Sequence, residues 1–296
     1  MFKSAMKLFL VSLLAVAALF RAAAQVSLDL ALEQDQFLPE EAIRLTVKVT
    51  NTSGQPLHLG EDPNWLTFNV ESTDQSIVVK NSDVPVVEPF DLESSQRATK
   101  HVNLQPYFQL GRPGRYKVTA TMHIPAWSLT VNSPPIHFDV IHGGELWSQD
   151  FGVMVAKDAP PEARKFTLIK ANYLQKQLRL YVQVSSSDGT QIYKVAPLGP
   201  LVSFSLPEEE VDRVSQLHVL WQTGAQTFSY MVISADGTTL AREVYDNFKS
   251  RPRLSVTTSG DVVVLGGVRR IKLDEVPAVS PPLPPPAASP LPPSKP

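Results

Sequence analysis

The sequence predicts an all-β protein built from two antiparallel β domains in series. Residues Val26–Glu33 alternate between apolar and polar, and the same period of two returns in Ile43–Val49. That period places every apolar side chain of a strand on one face of a sheet. Turn residues follow the short runs, as at Asn51–Gly54, and the pattern continues as far as Leu265. Short strands separated by frequent turns are typical of antiparallel sandwiches.

The amino-terminal residues are assigned outside the folded domains. Residues 1–24 are predicted to be a signal peptide, because Lys3 and Lys7 precede an apolar run from Leu8 to Phe20 and three alanines close the segment. The run is short for a bilayer span, which favours a cleaved signal over a retained anchor. The mature chain is expected to begin at Gln25, and no membrane span is expected after cleavage.

The carboxy-terminal segment has a different composition from the body of the chain. Residues 277–296 are half proline, with alanine, serine and leucine between. Proline lacks the backbone donor that a sheet needs and favours extended polyproline II. We predict a disordered tail. The alternative is a semi-rigid spacer, or a ligand for an aromatic groove.

Residues 25–142 are predicted to form the first β domain. The predicted strands share one apolar face each, and they are Val26–Glu33, Ile43–Val49, Trp65–Val70, Ile77–Val79, Thr99–Leu104, Tyr116–Met122 and Ile136–Val140. About seven short strands in a segment of this length fit a sandwich of two antiparallel sheets.

The turn before the sixth of these strands is the most specific motif in the chain. Pro113 presets φ and Gly114 accepts positive φ, so the pair predicts a turn. Tyr116 then begins the apolar face of the strand. A Pro-Gly-x-Tyr turn of this kind resembles the tyrosine corner of immunoglobulin- and fibronectin-like sandwiches, whose phenol ties one sheet to the connection from the other. We therefore expect Pro113, Gly114 and Tyr116 to be structural residues.

The resemblance covers residues 25–142 and carries implications for the role of this domain. Bacterial domains of this wider family serve adhesion, spacing, and the binding of carbohydrate or protein. The resemblance thus implies a class of role and no active site, since one fold supports many functions.

Residues 143–276 are predicted to form a second antiparallel β domain after a hinge at His142–Glu145. Pro207–Asp212 is predicted to be one helical turn, because a proline begins it and acids fill its first turn. The predicted strands are Phe166–Lys170, Leu178–Val184, Gln191–Val195, Val202–Leu206, Leu217–Trp221, Phe228–Ile233, Thr239–Tyr245, Leu254–Thr257 and Val262–Leu265.

A weak internal repeat runs through this second domain. Tyr181–Thr190 parallels Tyr230–Thr238, and each copy leads from a strand into a Ser-x-Asp-Gly-Thr turn. The spacing suits a four-stranded propeller blade. The turns are similar to the aspartate-box hairpins of sialidase-like propellers, although those place a residue between Asp and Gly. A closed propeller needs at least about four blades, so we favour a compact sandwich over a propeller completed by a second chain. The Asp-Gly pairs themselves predict two-residue hairpin turns.

Charge and cysteine content exclude several function classes. The formal net charge is −2 and the pI is near 6.3, so the chain lacks the basic footprint of a nucleic-acid-binding protein. No cysteine is present, which excludes disulfides, thiolate metal sites and cysteine nucleophiles. Many exported eukaryotic domains of this size carry disulfides, so the composition favours a bacterial source.

Few residues in the sequence suggest a metal or catalytic site, and no cofactor is predicted. His123, His137 and Asp139 fall on the polar faces of two predicted strands. If those strands pair, imidazole and carboxylate groups meet in a set suited to zinc or copper. The competing interpretation is a solvated sheet face, which we favour.

An enzyme would need carboxylates, arginines and aromatic residues gathered at loop ends. Arg179, Glu243, Tyr245 and Arg269 are available, but no spacing singles them out. The acids of Glu208–Asp212 are consecutive and are interpreted as surface charges rather than as a spaced catalytic pair.

The predicted function is that of an exported, non-catalytic binding or scaffold protein, secreted or periplasmic, with a protein or carbohydrate partner and no nucleic-acid partner. The first alternative is a glycan-active hydrolase with a propeller-like second domain. The second alternative is a periplasmic inhibitor or accessory subunit that acts through an exposed sheet edge.

Overall fold

The computed structural model describes residues 26–154, 160–173 and 177–271. The predicted signal peptide, residues 1–24, and the proline-rich segment, residues 277–296, lie outside the described residues. Within the described part the protein is all-β, with several antiparallel sheets and two short 3-10 turns at Gln105–Tyr107 and Pro125–Trp127. The predicted fold class is confirmed.

The amino-terminal half contains two larger sheets and one short two-stranded sheet around one core. The strands are β1 (Val26–Leu32), β2 (Gln36–Phe37), β3 (Arg44–Asn51), β4 (Leu57–Leu59), β5 (Leu66–Ser72), β6 (Phe90–Leu92), β7 (Arg97–Asn103), β8 (Gly114–Ile124), β9 (Leu129–Asn132) and β10 (Ile136–Val140). One larger sheet has the order β1-β3-β7, the other has the order β2-β10-β8-β5 with β9 beside the end of β8, and β4 and β6 form the short pair. Strand β2 runs parallel to β10, and the remaining pairs are antiparallel.

Burial in this half follows the predicted alternation. On β8 the apolar side chains face the core and the intervening polar side chains do not. Trp65 lies just before β5, where the sequence left its orientation open. Its side chain is buried, and its indole Nε1 donates a hydrogen bond to the Val86 carbonyl at 2.6 Å. The long loop that carries Val86 is therefore fastened to the core.

The predicted strand Ile77–Val79 is wrong. These residues lie in the connection between β5 and β6, where Ile77 is 90% exposed. Only one isolated antiparallel bridge forms nearby, between Lys80 and Phe108. The segment pairs with another connection only around this bridge, so the pairing is too short to make Ile77–Val79 a strand.

The carboxy-terminal half contains two antiparallel meanders and a hairpin. The first meander is β11 (Gly144–Val153), β12 (Glu162–Tyr173), β13 (Gln177–Ser186) and β14 (Ile192–Leu201). The second is β15 (Glu208–Val211), β16 (Leu217–Gln222), β17 (Thr227–Ile233) and β18 (Thr239–Asp246), extended by β21 (Val268–Arg269). The hairpin consists of β19 (Arg253–Val256) and β20 (Val262–Leu265).

The two meanders pack face to face. Val182 and Val184 of β13 share one buried cluster with Met231 and Ile233 of β17. The internal repeat places these residues at equivalent positions, because β13 and β17 are each the third strand of a meander. The spacing of a propeller blade therefore reflects a four-stranded unit, and two such units bury each other's inner faces.

The outer faces of the two meanders are also covered. Tyr181 of β13 packs with Leu38 from the amino-terminal half, and Tyr230 of β17 packs with Leu254 and Val264 of the hairpin. Both strands are thus buried on two sides, which explains their nearly continuous apolar sequence.

The repeated Ser-x-Asp-Gly-Thr segments form matching turns. Asp188 Oδ1 accepts the Thr190 backbone N–H, and Asp236 Oδ1 accepts the Thr238 N–H, each at 3.1 Å. Gly189 has a φ of 73° and is the residue that enters the left-handed region in the first of these turns. The loops are wider than the predicted two-residue hairpin, because the aspartate and serine side chains bond the turn internally.

The predicted helical turn at Pro207–Asp212 is also wrong. Glu208–Val211 forms the edge strand β15, in register with Leu217–Leu220 of β16. Pairing with a strongly apolar neighbour overrides the local preference that proline and acids give to a helix start.

Candidate functional site

A groove on the amino-terminal half is the most developed concave surface among those found in the described residues. Its volume is about 880 Å³, and it lies between the connection after β5 and the connection that leads to β8. The lining residues combine amide, charged and apolar side chains, and they are Glu40, Gln75, Ser76, Ile77, Val78, Val79, Asn81, Gln105, Pro106, Phe108, Gln109, Gly111, Arg112 and Tyr116. A groove of this size accommodates a ligand of several residues.

Backbone pairing between the two connections forms the floor of the groove. The Gln109 N–H donates to the Val79 carbonyl at 2.9 Å, and the Asn81 N–H donates to the Tyr107 carbonyl at 2.8 Å. Pro106 is the second residue of the 3-10 turn Gln105–Tyr107, and it lines the groove together with Gln105. The irregular loop after β5 is thus held in place by two main-chain bonds.

The tyrosine corner lies at the base of the groove. Tyr116 is 3% exposed, and its hydroxyl donates to the Arg112 carbonyl at 2.6 Å. Its ring stacks on Phe138 with ring centroids 5.5 Å apart. Burial, followed by the nearby Asp74 carboxylate, raises the pKa of the Tyr116 phenol. The neutral phenol therefore remains a hydrogen-bond donor at physiological pH.

The other two residues predicted to form this corner have simpler roles. Pro113 precedes β8, and Gly114 is the first residue of that strand. The expectation of a positive φ at Gly114 is wrong, and an added Cβ would meet only Tyr116 Cε2 at 3.9 Å. The corner depends on the tyrosine hydroxyl rather than on glycine.

Some polar groups of the groove remain available to a ligand, whereas Gln109 Nε2 already donates to Asn81 Oδ1 at 3.4 Å. Among the described residues, the Arg112 guanidinium forms no ion pair or hydrogen bond. Glu40 accepts a hydrogen bond from Gln105 Nε2 at 2.5 Å. Gln75 and Ile77 also line the groove. The site therefore offers amide donors and acceptors, one cation and an exposed apolar contact.

The structure does not bring together His123, His137 and Asp139, the three residues considered for a metal site. Strands β8 and β10 do pair, but the register sets His137 opposite Lys117 and Asp139 opposite Arg115. His123 lies near the other end of β8, opposite Thr130, and its Nδ1 is 3.1 Å from the Thr130 hydroxyl. Among the described residues, no group of three or more histidine and acidic side chains is arranged to hold a metal ion.

Three of the four residues considered for an enzyme do meet. The Glu243 carboxylate pairs with Arg269 at 2.9 Å and accepts a hydrogen bond from the Tyr245 hydroxyl at 2.7 Å. Arg179 lies elsewhere, at the contact between the two halves, where its Nη1 donates to Gln34. The gathered residues bond to one another, so their arrangement supports the second meander.

Sequence reasoning missed a second polar cluster under the hairpin β19–β20. His218 is buried, with Nδ1 at 2.7 Å from the Tyr230 hydroxyl and Nε2 at 3.2 Å from an Asp212 carboxylate oxygen. Burial raises the pKa of Tyr230 to about 12. A histidine within the apolar run Leu217–Trp221 was the available indication, because a buried imidazole requires partners.

Comparisons with known proteins identify no family. No family model and no curated protein matches the chain. Among solved structures, the chain is similar to Spo0M, a sporulation control protein from Bacillus subtilis, with a TM-score of 0.31 and 11% sequence identity. The match covers 60% of this chain and 91% of that chain. A likeness at this level carries no inference about function.

The structure adds one observation about membranes. In the described residues, no helix has the length and apolar character that crossing a bilayer requires.

Proposed function

We propose that this chain is an exported, non-catalytic binding protein that holds an extended polypeptide segment in the groove beside Tyr116. The observation that carries the proposal is the composition of the groove, in which exposed Ile77 and the Arg112 guanidinium, which has no partner within the described part of the chain, lie among amide side chains. Amide groups match the alternating donors and acceptors of a peptide backbone. Ile77 and Arg112 would select peptides that carry an apolar side chain and an acidic side chain at the matching positions.

The exposure of the aromatic residues favours a polypeptide over a carbohydrate. Phe108 and Tyr116 line the groove, yet each is only 3% exposed. Their ring faces are engaged in the core and are not available to a ligand. Because the exposed contact in the groove is aliphatic, a peptide side chain fits it better than a sugar that requires an aromatic surface.

The strand arrangement supports an immunoglobulin-like assignment for the amino-terminal half. The order β1-β3-β7 matches strands A, B and E, and the order β10-β8-β5 matches G, F and C. Tyr116 then lies near the start of strand F, and its hydroxyl bonds a backbone group four residues upstream, as a tyrosine corner does. Domains of this architecture commonly carry binding surfaces on their connections.

The proposed organisation of the chain has four parts. A signal peptide over residues 1–24 is followed by the immunoglobulin-like domain, by a second β domain over residues 143–276 and by the proline-rich tail. Two observations support the division: the buried cluster of the first half ends at Val140, and that of the meanders begins at Phe151. Sequencing the amino terminus of the exported protein checks the first boundary, and we expect Gln25 as its first residue.

Selection of peptides against the full mature protein tests the groove. We expect Ile77→Asp and Arg112→Glu to weaken binding of selected peptides by about tenfold or more, because a few central contacts dominate such sites. Phe204→Asp is the matched control, since Phe204 is 81% exposed in the other half. Peptides that bind both groove variants normally would overturn the proposal. A glycan whose binding depends on the same residues would overturn the choice of polypeptide.

A further inference from the structure

The turn Leu38–Glu41 carries two neighbouring carboxylates whose side chains lie in different parts of the molecule. Glu40 points to the groove, and Glu41 points to the contact between the two halves. The turn is closed by the Glu41 N–H, which donates to the Leu38 carbonyl at 3.1 Å. Glu40 has a φ of 63°, in the left-handed region that a residue with a side chain rarely adopts. Such a conformation persists only where its surroundings determine it.

On the groove side, Glu40 braces one wall. Its Oε2 accepts the hydrogen bond from Gln105 Nε2, and its Oε1 lies where a Cβ on Gly111 would approach to 2.9 Å. Gly111 and Gln105 both line the groove. The position of Glu40 therefore sets the distance between the turn Leu38–Glu41 and the connection that runs from Gln105 to Arg112.

On the other side, Glu41 is buried in the contact between the halves and is only 4% exposed. Its Oε2 accepts the Leu38 N–H at 2.8 Å, and its Oε1 accepts Gln34 Nε2 at 2.9 Å. Arg179 of β13 donates in turn to Gln34 Oε1 at 3.2 Å. A buried carboxylate with this set of donors fixes the turn strongly, because losing a donor leaves a buried charge unsatisfied.

Apolar packing completes the contact around these polar groups. Leu38 packs with Ala171, Tyr181 and Val195 of the first meander. Burial raises the pKa of the Glu41 carboxyl, while the Leu38 N–H, the Gln34 amide and Arg179 oppose that rise. The conformation of the turn thus depends on a surface of the other half of the molecule.

We propose that Arg179 and Gln34 are positioning residues for the groove, and that the groove has its observed shape only while the two halves are docked. The chain of contacts runs from Arg179 through Gln34 and Glu41 to Glu40 and Gln105. The turn is the element with two states: it is held when the halves dock and released when they part. Coupling of this kind is reciprocal, so a ligand in the groove stabilises the docked molecule.

This inference rests on the groove being the binding site, but its test needs no ligand. Amide hydrogen exchange is measured by mass spectrometry on the full mature chain, comparing Arg179→Met with wild type. We expect exchange in the segment 105–112 to rise by about tenfold, although Arg179 lies in the other half of the molecule. Arg213→Met is the matched control, because it removes an arginine of the same half that pairs with Asp261 on the surface.

The reverse measurement separates coupling from simple loss of stability. Gln105→Ala should accelerate exchange at Glu41 and at Ile141, whose N–H donates to the Phe37 carbonyl beside the contact. Exchange in β16 and β17 should stay unchanged in both variants. If Arg179→Met alters only segments adjacent to it, or if Gln105→Ala leaves Glu41 and Ile141 unchanged, the coupling is overturned. Peptide binding by the groove would remain a separate question.

Discussion

At the tyrosine corner, one hydroxyl joins a strand to the connection that precedes it. Tyr116 is buried, and its hydroxyl has the Arg112 carbonyl as a partner at 2.6 Å. Arg112 also contributes its side chain to the groove. The same bond that fastens the fold therefore holds the backbone from which a candidate ligand contact projects.

Tyr116→Phe removes that bond without changing the packing of the ring. We expect the variant to lower the free energy of unfolding by about 1–3 kcal/mol, because the Arg112 carbonyl loses a buried donor. Urea denaturation followed by tryptophan fluorescence measures the change. Tyr107→Phe is the control, since among the described residues the Tyr107 hydroxyl forms no hydrogen bond, and it should stay within about 0.5 kcal/mol. Equal stability of the two variants would contradict the corner.

Single residues were predicted well where burial follows a simple period. The inward face of β8 could be assigned from the sequence, because alternation maps directly onto the two faces of a strand. The role of Glu40 and Glu41 could not be assigned. Two adjacent acids after a proline are typical of a solvated turn. Glu41 instead accepts from Gln34, which itself accepts from Arg179, a residue distant in sequence.

At the scale of elements, the edge strand β15 shows why the predicted helix failed and what the acids contribute. Glu209 lies opposite Val219, whose side chain is in the core between the meanders, so Glu209 faces inward. Its Oε2 is buried and has no hydrogen-bond partner among the described residues. Burial, followed by the charges of Glu208 and Glu210, raises the pKa of the Glu209 carboxyl. An inward-pointing charge of this kind discourages other strands from pairing with an edge.

Glu209→Val should therefore stabilise the fold and weaken its protection against association. We expect a gain of about 1 kcal/mol at pH 7 from removing an unsatisfied carboxylate and adding a strand-forming residue. Because the pKa of Glu209 in the folded state lies above its ordinary value of 4.5, wild type regains stability as pH falls through the folded-state pKa towards that value. The advantage of the variant should shrink over the same range.

Denaturant melts and sedimentation velocity test both parts of this expectation. Glu210→Val is the matched control, because Glu210 is exposed on the same strand, and it should change stability by less than about 0.5 kcal/mol. We expect Glu209→Val alone to self-associate. A loss of stability in Glu209→Val would show that the carboxylate is satisfied in solution.

The elements that were predicted are determined by their own local sequence, whereas those that were missed depend on contacts between distant segments. Strands such as β13 and β17 carry their own apolar pattern, so their place in the repeat was visible. The groove was not predicted, because it is assembled from Glu40 and two connections that lie far apart in the sequence. The strand predicted at Ile77 was wrong, since an exposed apolar residue at a surface site fits the same sequence pattern as a residue in a strand.

At the scale of the whole molecule, the contact between the two halves determines whether they move as one rigid unit or as two domains joined by a flexible hinge. The sequence His142–Glu145 is rich in glycine, which predicted a hinge. In the structure, an added Cβ on Gly143 would lie 2.1 Å from Ile169 Cγ2 and 3.1 Å from Leu38 Cδ2. Glycine is therefore required at position 143 because the backbone packs closely against one residue from each half of the molecule.

Gly143→Ala tests this contact, and Gly144→Ala provides the control next to it. We expect Gly143→Ala to cost about 1–3 kcal/mol, because overpacking forces Ile169 or Leu38 to move. At Gly144 the added Cβ would meet only the flexible Lys170 side chain closely, with Cε at 3.3 Å, so that variant should stay within about 0.5 kcal/mol. Urea denaturation followed by tryptophan fluorescence reports on both halves, since Trp65 and Trp221 are each buried in one of them. Equal tolerance of both alanines would mean that this segment is a hinge, and the two halves would then unfold independently of their contact.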